Sequence, residues 1–247
     1  MEQGRNDLNA IRSHCVVIPV YNESIKIRRV LERLRDAGED NVIVVDDGST
    51  DDSVVVCREF DLEVIELGTT LGVGRALVRG FERTLERGFD YCVFMAGNDK
   101  DEPLEIPRLL EPLDHDKADF VQGSRWLKGG GTGGDMPFYR KLATRFHPML
   151  FSLAVGKRLT ESTNGFRALR CSLLEETRID LSQSWLDGYE MEPYLLYRII
   201  KCGYRHVEVP CTKVYPPKKQ GITKMRPIID WWHIIKPIFI LRLGLRK

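Results

Sequence analysis

The sequence predicts an α/β protein built on an open, mostly parallel, Rossmann-like sheet with helices on both faces. Within the first 125 residues, short runs rich in Val, Ile and Phe alternate with segments whose apolar residues recur at helical spacing. Strands in a parallel sheet show such continuous apolar runs because helices cover both of its faces. In sheets of this kind, ligands bind beyond the carboxyl ends of the strands.

Composition supports an ordinary globular protein. The chain has 247 residues, of which 43% are hydrophobic, and a formal net charge of +1. An apolar fraction this high fills a sizeable core, which excludes a disordered chain and a small disulfide-dependent fold. The near-neutral charge argues against nucleic acid as a partner. The six cysteines form no CxxC pair and indicate neither a zinc site nor a disulfide framework.

The sequence before residue 125 predicts five strands and the apolar faces of two helices between them. Apolar residues at i, i+3, i+4 and i+7 predict one helix through Ile27 and Leu34 and another through Leu77 and Leu85. The predicted strands are CVVIPV (15–20), NVIVVDD (41–47), LEVIEL (62–67), DYCVFMAG (90–97) and DFVQGS (119–124).

The pattern is less regular after residue 125. The segment Leu127–Asp135 has five glycines in nine residues, which predicts a mobile loop and a candidate lid. Helices are predicted at about 138–155 and 190–201, with the motif STNGFRALR between them. A strand-like pattern, YRHVEVPCTKVY, follows at 204–215.

The C-terminal part is basic and amphipathic. Residues 209–247 contain nine Lys or Arg and one acid, Asp230, and Trp and Ile alternate with these cations near the end. This composition is typical of an interfacial membrane anchor and is too interrupted for a membrane span. We therefore predict one domain over 12–225 and a membrane-facing amphipathic segment over 226–247. The alternative is that the segment packs on its own domain, on a second subunit or on a membrane-protein partner.

Polar residues follow the first two predicted strands. The first strand ends in IPVYNES and the second in VVDDGSTDD, so their side chains should meet at one sheet edge. Carboxylates there can accept hydrogen bonds from a nucleobase or a ribose, and a tyrosine offers a stacking face. The alternative is that the acidic run only caps the next helix. The predicted nucleotide-binding residues are Pro19, Tyr21, Glu23, Asp46 and Asp47.

The strings VVIPVYNE and VIVVDDGSTDDS resemble the nucleotide-sugar-binding half of the family 2 glycosyltransferases, which adopt the GT-A fold. The resemblance continues in order through LGVGRALVRGF, VQGSRW, RKLATR, STNGFRALR, GYEME, CGYRHVEVP and QGITK. Within the family, the chain is most similar to the dolichyl- or polyprenyl-phosphate sugar synthases. The resemblance implies inverting transfer of a hexose from a GDP-mannose or UDP-glucose type of donor to a polyprenyl phosphate. It also implies peripheral association with the cytoplasmic face of a membrane.

The chain departs from the family after the fourth strand. Relatives carry an acidic DxD motif that binds a divalent metal, whereas this chain has Ala96 and Asn98 at the two acidic positions. A displaced acidic pair follows, and hard cations need oxygen ligands rather than one register. Asn98, Asp99 and Asp101 are therefore predicted to bind Mg²⁺ or Mn²⁺. Two alternatives are that Lys100 pairs with phosphate directly, or that the segment only caps the next helix.

The resemblance places a basic set on the acceptor side. Guanidinium groups bind phosphate with paired hydrogen bonds, and lysines add charge without fixed geometry. This set contains Arg125, Arg140, Arg145, Lys218, Lys219 and Lys224. Of these, Arg125, Arg140 and Lys218 are the predicted contacts of the acceptor phosphate.

The acceptor decides which residues are catalytic. A phosphomonoester has a second pKa of about 6 and needs no base at neutral pH. Arg125, Asp101 and Glu192 are then the catalytic candidates, with Glu192 holding either sugar hydroxyls or the active-site loop. A hydroxyl acceptor would instead need Glu190 or Glu192 as a base, near Asp187. A third possibility is a non-catalytic protein that binds a nucleotide sugar, because the usual acids are missing.

Overall fold

The computed structural model describes residues 12–216 and 229–246. The strands are β1 (His14–Val20), β2 (Val42–Asp46), β3 (Glu63–Glu66), β4 (Tyr91–Phe94), β5 (Phe120–Ser124), β6 (Gly131–Gly134), β7 (Arg167–Arg170), β8 (His206–Pro210) and β9 (Thr212–Tyr215). The helices are α1 (Ser24–Asp36), α2 (Ser53–Arg58), α3 (Val73–Glu86), α4 (Ile106–Asp114), α5 (Phe138–Val155), α6 (Met191–Lys201) and α7 (Ile229–Arg242).

Seven of the strands form one twisted sheet in the order β3-β2-β1-β4-β7-β5-β8. Every neighbouring pair is parallel except the two that involve β7, which runs antiparallel to β4 and to β5. The predicted α/β class, the mostly parallel sheet and the five early strands are confirmed. No strand was predicted at β7, because two of its four residues are arginine.

Helices cover both faces of the sheet, as predicted. Alternate residues of β1 point to opposite sides, so that Val17 joins the cluster beneath α3 and α6 while Val16 joins the cluster beneath α1 and α4. A Cβ at Gly80 would lie 2.2 Å from Val17 Cγ1, so glycine lets α3 lie close against the sheet. Burying each such aliphatic side chain contributes about 1.5–3 kcal/mol to stability.

The glycine-rich segment is partly a strand. Residues of β6 pair in parallel with β9, so the prediction of a mobile loop over Leu127–Asp135 is wrong for Gly131–Gly134. Gly134 has a φ of 68°, and a Cβ there would lie 1.9 Å from the carbonyl oxygen of Tyr215. At this position glycine permits close backbone approach and a left-handed conformation, rather than mobility.

Helix α7 packs against α5 and α6. Ile238 and Leu241 are buried in the same cluster as the β1 residue Val17, whereas Trp232 and Phe239 are exposed. The helix therefore has one face on the domain and one in solvent. Within the described ranges, no helix is long and apolar enough to cross a membrane.

We predict that buried His206 makes the fold sensitive to acid. Its ring stacks on Phe120 at 5.9 Å between centroids, and neither ring nitrogen has a hydrogen-bond partner among the described residues. Burial lowers the pKa of His206 to about 3, while an unfolded histidine titrates near 6.5. Stability is therefore complete above pH 6.5 and falls below it, as the unfolded chain takes up the proton first.

His206→Phe should remove this dependence while keeping a stacked ring. Between pH 7 and pH 5, we expect the free energy of unfolding of the unsubstituted chain to fall by about 2 kcal/mol more than that of the variant. Urea titrations at the two pH values measure this difference, with exposed His115→Gln as the control. Equal falls in the unsubstituted chain and in His206→Phe would contradict the prediction.

Candidate functional site

A cleft of about 840 Å³ lies beyond the carboxyl ends of β1, β4 and β5. Its walls also include residues of α5, α6, α7 and β9 and of the segment just before β7. Of the predicted site residues, those that line this cleft are Pro19, Tyr21, Glu23, Asp47, Asn98, Arg125, Arg140 and Glu192. The structure thus brings the predicted nucleotide edge and acceptor side together around one space.

Asp47 faces the cleft and anchors its rim. Its carboxylate accepts hydrogen bonds from the backbone N–H groups of Leu71, at 2.7 Å, and Gly72, at 3.0 Å. Burial raises the pKa of Asp47 above its usual range, although these two hydrogen bonds act in the opposite direction. The carboxylate therefore fixes the chain that enters α3 against the end of β2.

Asp46 lies behind the rim rather than in the cleft wall. One carboxylate oxygen accepts from the N–H groups of Gly48 and Ser49, at 3.1 and 3.0 Å, which is turn-capping chemistry. The other oxygen is buried and has no hydrogen-bond partner among the described residues. A Cβ at Gly48 would lie 2.6 Å from the backbone of Thr69, so the turn packs tightly on its neighbour.

Asp99 does not line the cleft and is bound by two arginines. Its carboxylate accepts hydrogen bonds from Arg29 Nε, at 2.6 Å, and Arg33 Nη1, at 3.0 Å, both on α1. Its backbone has a φ of 58°, which is the left-handed region that Asp tolerates better than most residues. Asp99 therefore joins the segment after β4 to α1.

Asp101 is also held by a cation. Its side chain is buried, and one oxygen accepts from Lys213 Nζ at 2.5 Å. The second oxygen of Asp101 and Oδ1 of Asn98 have no hydrogen-bond partner among the described residues. The structure thus does not bring the three predicted metal ligands together. Across 12–216 and 229–246, no three His, Cys, Asp or Glu side chains form a group that could hold a metal ion.

Lys100 lines the cleft between these acids. Its Nζ lies 5.6 Å from the centroid of the Tyr215 ring. Burial lowers the pKa of Lys100 to about 8, and the neighbouring cations Lys213 and Arg140 act in the same direction. The wall of the cleft just after β4 therefore carries an amino group beside Asn98.

Arg125 is fixed by three partners. Its Nε donates to Glu161 at 2.6 Å, Nη1 to the Tyr215 hydroxyl at 2.9 Å and Nη2 to the Thr163 hydroxyl at 3.2 Å. Burial alone would raise the pKa of Glu161, but Arg125 and the N–H of Thr163 lower it below its usual range. This charged pair holds the guanidinium at the cleft wall.

The other residues of the predicted basic set lie in different surroundings. Arg140 is buried on the inner side of α5 and lines the cleft. Arg145 is exposed, and its guanidinium lies 4.4 Å from the centroid of the Trp126 ring. Lys218, Lys219 and Lys224 lie outside the described residues.

The three predicted carboxylates near α6 have different surroundings. Glu192 lines the cleft, and its carboxylate lies 3.2 Å from Nη1 of fully buried Arg167. Glu190 accepts hydrogen bonds from His233 and Lys236 and so ties α6 to α7. Asp187 pairs with Arg75 on α3, at 2.8 Å.

Several residues of the cleft were not predicted. Lys26 pairs with Glu23 at the nucleotide edge, and Arg167 and Lys213 form part of the wall. The signal for Lys213 was the period-2 alternation of β9, which buries residue 213 together with Cys211 and Tyr215. No comparable signal marked Glu161, whose partner lies 36 residues earlier in the chain.

Removing the charge of Glu161 should destabilise the fold. Glu161→Gln leaves the Arg125 guanidinium buried without a counter-charge, and we expect a loss of about 3–5 kcal/mol in the free energy of unfolding. Urea denaturation measures it. The double variant Arg125→Met with Glu161→Gln should lose less than the sum of the single variants, because no unpaired charge remains. Additive losses would show that the pair is not coupled.

Comparisons with known proteins agree with this geometry. The Glycosyl transferase family 2 model matches residues 15–178. The undecaprenyl-phosphate mannosyltransferase of Micrococcus luteus is 35% identical over 215 residues, which cover 85% of this chain and 86% of that protein. The polyprenol monophosphomannose synthase of Mycolicibacterium smegmatis is 32% identical over 217 residues, covering 85% of this chain and 80% of that protein.

A similar solved structure is glucosyl-3-phosphoglycerate synthase from Mycobacterium tuberculosis in complex with Mg²⁺ and UDP. It superposes with a TM-score of 0.70 at 21% identity, over 97% of this chain and 82% of that chain. Another crystal structure of the same synthase contains Mn²⁺, UDP and phosphoglyceric acid. At this level of identity the likeness concerns the fold, and it confirms the predicted GT-A architecture. With two thirds of its length matched by the family model, the chain belongs to glycosyl transferase family 2 and is a glycosyltransferase.

Proposed function

We propose that this glycosyltransferase transfers a hexose from a nucleotide sugar to a polyprenyl phosphate, with inversion. The observation that carries the proposal is a single cleft with a nucleotide-type edge at Tyr21 and Asp47 and buried guanidinium groups at Arg125 and Arg140. Relatives that are 35% and 32% identical are named for undecaprenyl phosphate and polyprenol monophosphomannose. A cationic cleft of this kind suits two phosphate-bearing substrates.

The donor is proposed to enter along the edge formed by β1 and β2. Tyr21 offers its ring to the base, and Asp47 and Glu23 offer carboxylate oxygens to the base or the ribose. The buried, unpartnered oxygen of Asp46 lies just behind this edge. These contacts suit a purine or a pyrimidine, so either GDP-mannose or UDP-glucose remains a donor of the proposed type.

The acceptor phosphate is proposed to lie against Arg125 and Arg140. An acceptor phosphate oxygen forms a bond to the anomeric carbon as the bond from that carbon to the donor's diphosphate breaks. The acceptor oxygen is already ionised near neutral pH, so no proton has to be removed. The protein's task is then alignment of the two substrates. Glu192, held by Arg167, is placed to contact sugar hydroxyls rather than to act as a base.

The alternative acceptor, a hydroxyl group, requires a base. Glu190 accepts hydrogen bonds from His233 and Lys236 on α7, and no described contact directs it into the cleft. If the acceptor is a hydroxyl group, Glu192 is the candidate base. We favour the phosphate acceptor because buried guanidinium groups at Arg125 and Arg140 line the cleft, and guanidinium groups bind phosphate well.

Product formation with matched arginine variants tests the proposed function. The assay combines the full chain with radiolabelled GDP-mannose or UDP-glucose and undecaprenyl phosphate, and it measures lipid-linked phosphohexose. Arg140→Gln should lower kcat/KM by about 10- to 100-fold, the range expected for losing a charged hydrogen bond. Arg158→Gln, which is exposed just beyond the C-terminal end of the same helix, is the control.

The two variants separate the outcomes clearly. A loss confined to Arg140→Gln supports a phosphate site in the cleft. An equal loss in both variants would attribute the effect to the general positive charge of the chain rather than to a phosphate site. Transfer to a soluble alcohol with no transfer to undecaprenyl phosphate would favour the hydroxyl acceptor instead.

A membrane-facing role for α5 and α7 is also proposed. The side of α5 opposite Arg140 exposes a stripe of apolar residues, and α7 adds Trp232 and Phe239. Exposed apolar surface of this extent needs a partner. The stripe on α5 contains Phe138 (81% exposed), Leu142 (61%), Phe146 (52%), Met149 (50%) and Leu153 (74%). Lys141 and Arg145 flank it, which suits an anionic leaflet.

Weakening the stripe should release the chain from membranes. The double variant Leu142→Gln with Leu153→Gln is expected to float poorly with anionic liposomes, because two apolar side chains no longer enter the headgroup region. The control replaces Ile25 and Leu104, which are 75% and 69% exposed elsewhere on the surface, by Gln. Equal flotation of the two double variants would exclude α5 as the membrane-facing helix.

A further inference from the structure

We propose that Lys100 takes the place of a divalent cation in this cleft, so that the donor's diphosphate binds without metal. The inference rests on the proposed function, because it concerns the donor of that same site. Three observations support the proposal. They are the side chains of the cleft wall after β4, the partners of the nearby acidic residues, and the pairing of charges around the cleft.

The wall after β4 offers few metal ligands to the cleft. The side chain of Ala96 has no ligand atom, that of Asn98 is a neutral amide, and that of Lys100 is a cation. A divalent cation takes six or more oxygen ligands and is usually held by one or two carboxylates together with substrate phosphates. Neither carboxylate of this segment lines the cleft.

The two nearby acids are already used by cations. Asp99 is bound by Arg29 and Arg33, and Asp101 by Lys213 at 2.5 Å. Only one oxygen of Asp101 and the amide oxygen of Asn98 are left without a partner among the described residues. A divalent ion at these oxygens would lie close to Lys213 and Lys100, whose charges repel it. The residues present therefore do not fit the metal.

The pairing of charged side chains around the cleft instead favours the binding of an anion. The other lysines of the cleft each have a carboxylate partner: Lys26 pairs with Glu23 and Lys213 with Asp101. Arg125 pairs with Glu161 in the same way. Within 12–216 and 229–246, Lys100 forms no ion pair, although it is half-buried in the cleft wall. A lysine binds phosphate as a point charge, so a nucleoside diphosphate supplies the missing counter-charge.

The consequence concerns the leaving group. As the bond between the anomeric carbon and the diphosphate oxygen breaks, negative charge grows on the diphosphate. An ammonium group beside the diphosphate stabilises that charge, as a bound cation would. Lys100 is thus proposed to contact the donor's diphosphate directly.

Nucleotide titrations with and without metal test the inference. Calorimetry with the full chain measures binding of GDP and of UDP in excess EDTA, and then in Mg²⁺ or Mn²⁺. We expect the Kd of the nucleotide that binds to change by less than about twofold between these conditions, because Lys100 supplies the charge. Paramagnetic resonance should show no Mn²⁺ bound to the protein–nucleotide complex.

Two variants make the test specific. Lys100→Gln should weaken binding in EDTA by about 10- to 100-fold, whereas exposed Lys117→Gln should leave it unchanged. The triple variant Ala96→Asp, Asn98→Asp and Lys100→Gln should bind the nucleotide only when Mn²⁺ is added. Thermal unfolding curves show whether each variant is folded.

The outcomes distinguish this inference from the proposed function. Binding that is lost in EDTA and restored by Mn²⁺ overturns the role of Lys100 and leaves the proposed transferase standing. Unchanged affinity in folded Lys100→Gln also overturns it. Failure of both nucleotides to bind under every condition overturns the donor site itself, and with it the inference.

Discussion

The buried ion pair between Arg125 and Glu161 is the interaction on which the cleft depends. It joins the end of β5 to the segment before β7, and that segment is held in turn by Glu208 of β8, which accepts from the N–H groups of Thr160 and Glu161 at 2.9 and 2.8 Å. A charge removed from water is tolerated only when its partner has good geometry. The position of the guanidinium is therefore set by three strands and the segment before β7, rather than by one flexible side chain.

The need for a counter-charge beside each buried cation also explains why acidic residues lie near the cleft. Carboxylates in and around the cleft bind cations of the protein: Glu161 binds Arg125, Asp101 binds Lys213, and Glu192 binds Arg167. Acidic residues near a GT-A cleft suggest a metal when they are read from sequence alone. In three dimensions they act as counter-charges to basic side chains at the cleft wall, so a count of acids gives no measure of metal-binding capacity.

The features that the sequence predicted correctly are those that depend on local periodicity. The five early strands, the helix at 138–155 and the meeting of Tyr21 and Asp47 at one sheet edge all follow from short-range patterns. What it missed depends on distant partners. Asp99 looked like a metal ligand because its arginines lie 66 and 70 residues away, and β7 was missed because buried Arg167 has its own hydrogen-bond acceptors. The β6 glycines suggested mobility because the close approach to β9 is not visible in sequence.

Helix α5 connects the chemistry of the cleft to the proposed membrane surface. Arg140 and Thr144, one turn apart, face the cleft, while Leu142 and Leu153 are exposed on the other side. A helix with its side chains is only about 10–12 Å across, so an apolar face in the headgroup region would place Arg140 within about that distance of lipid phosphates. Glu190 ties α7 to α6, and α7 packs on α5, so the helix is braced from inside the domain. A lipid phosphate can then reach the arginines while its polyprenyl chain stays in the bilayer, and no membrane-spanning helix is required for that geometry.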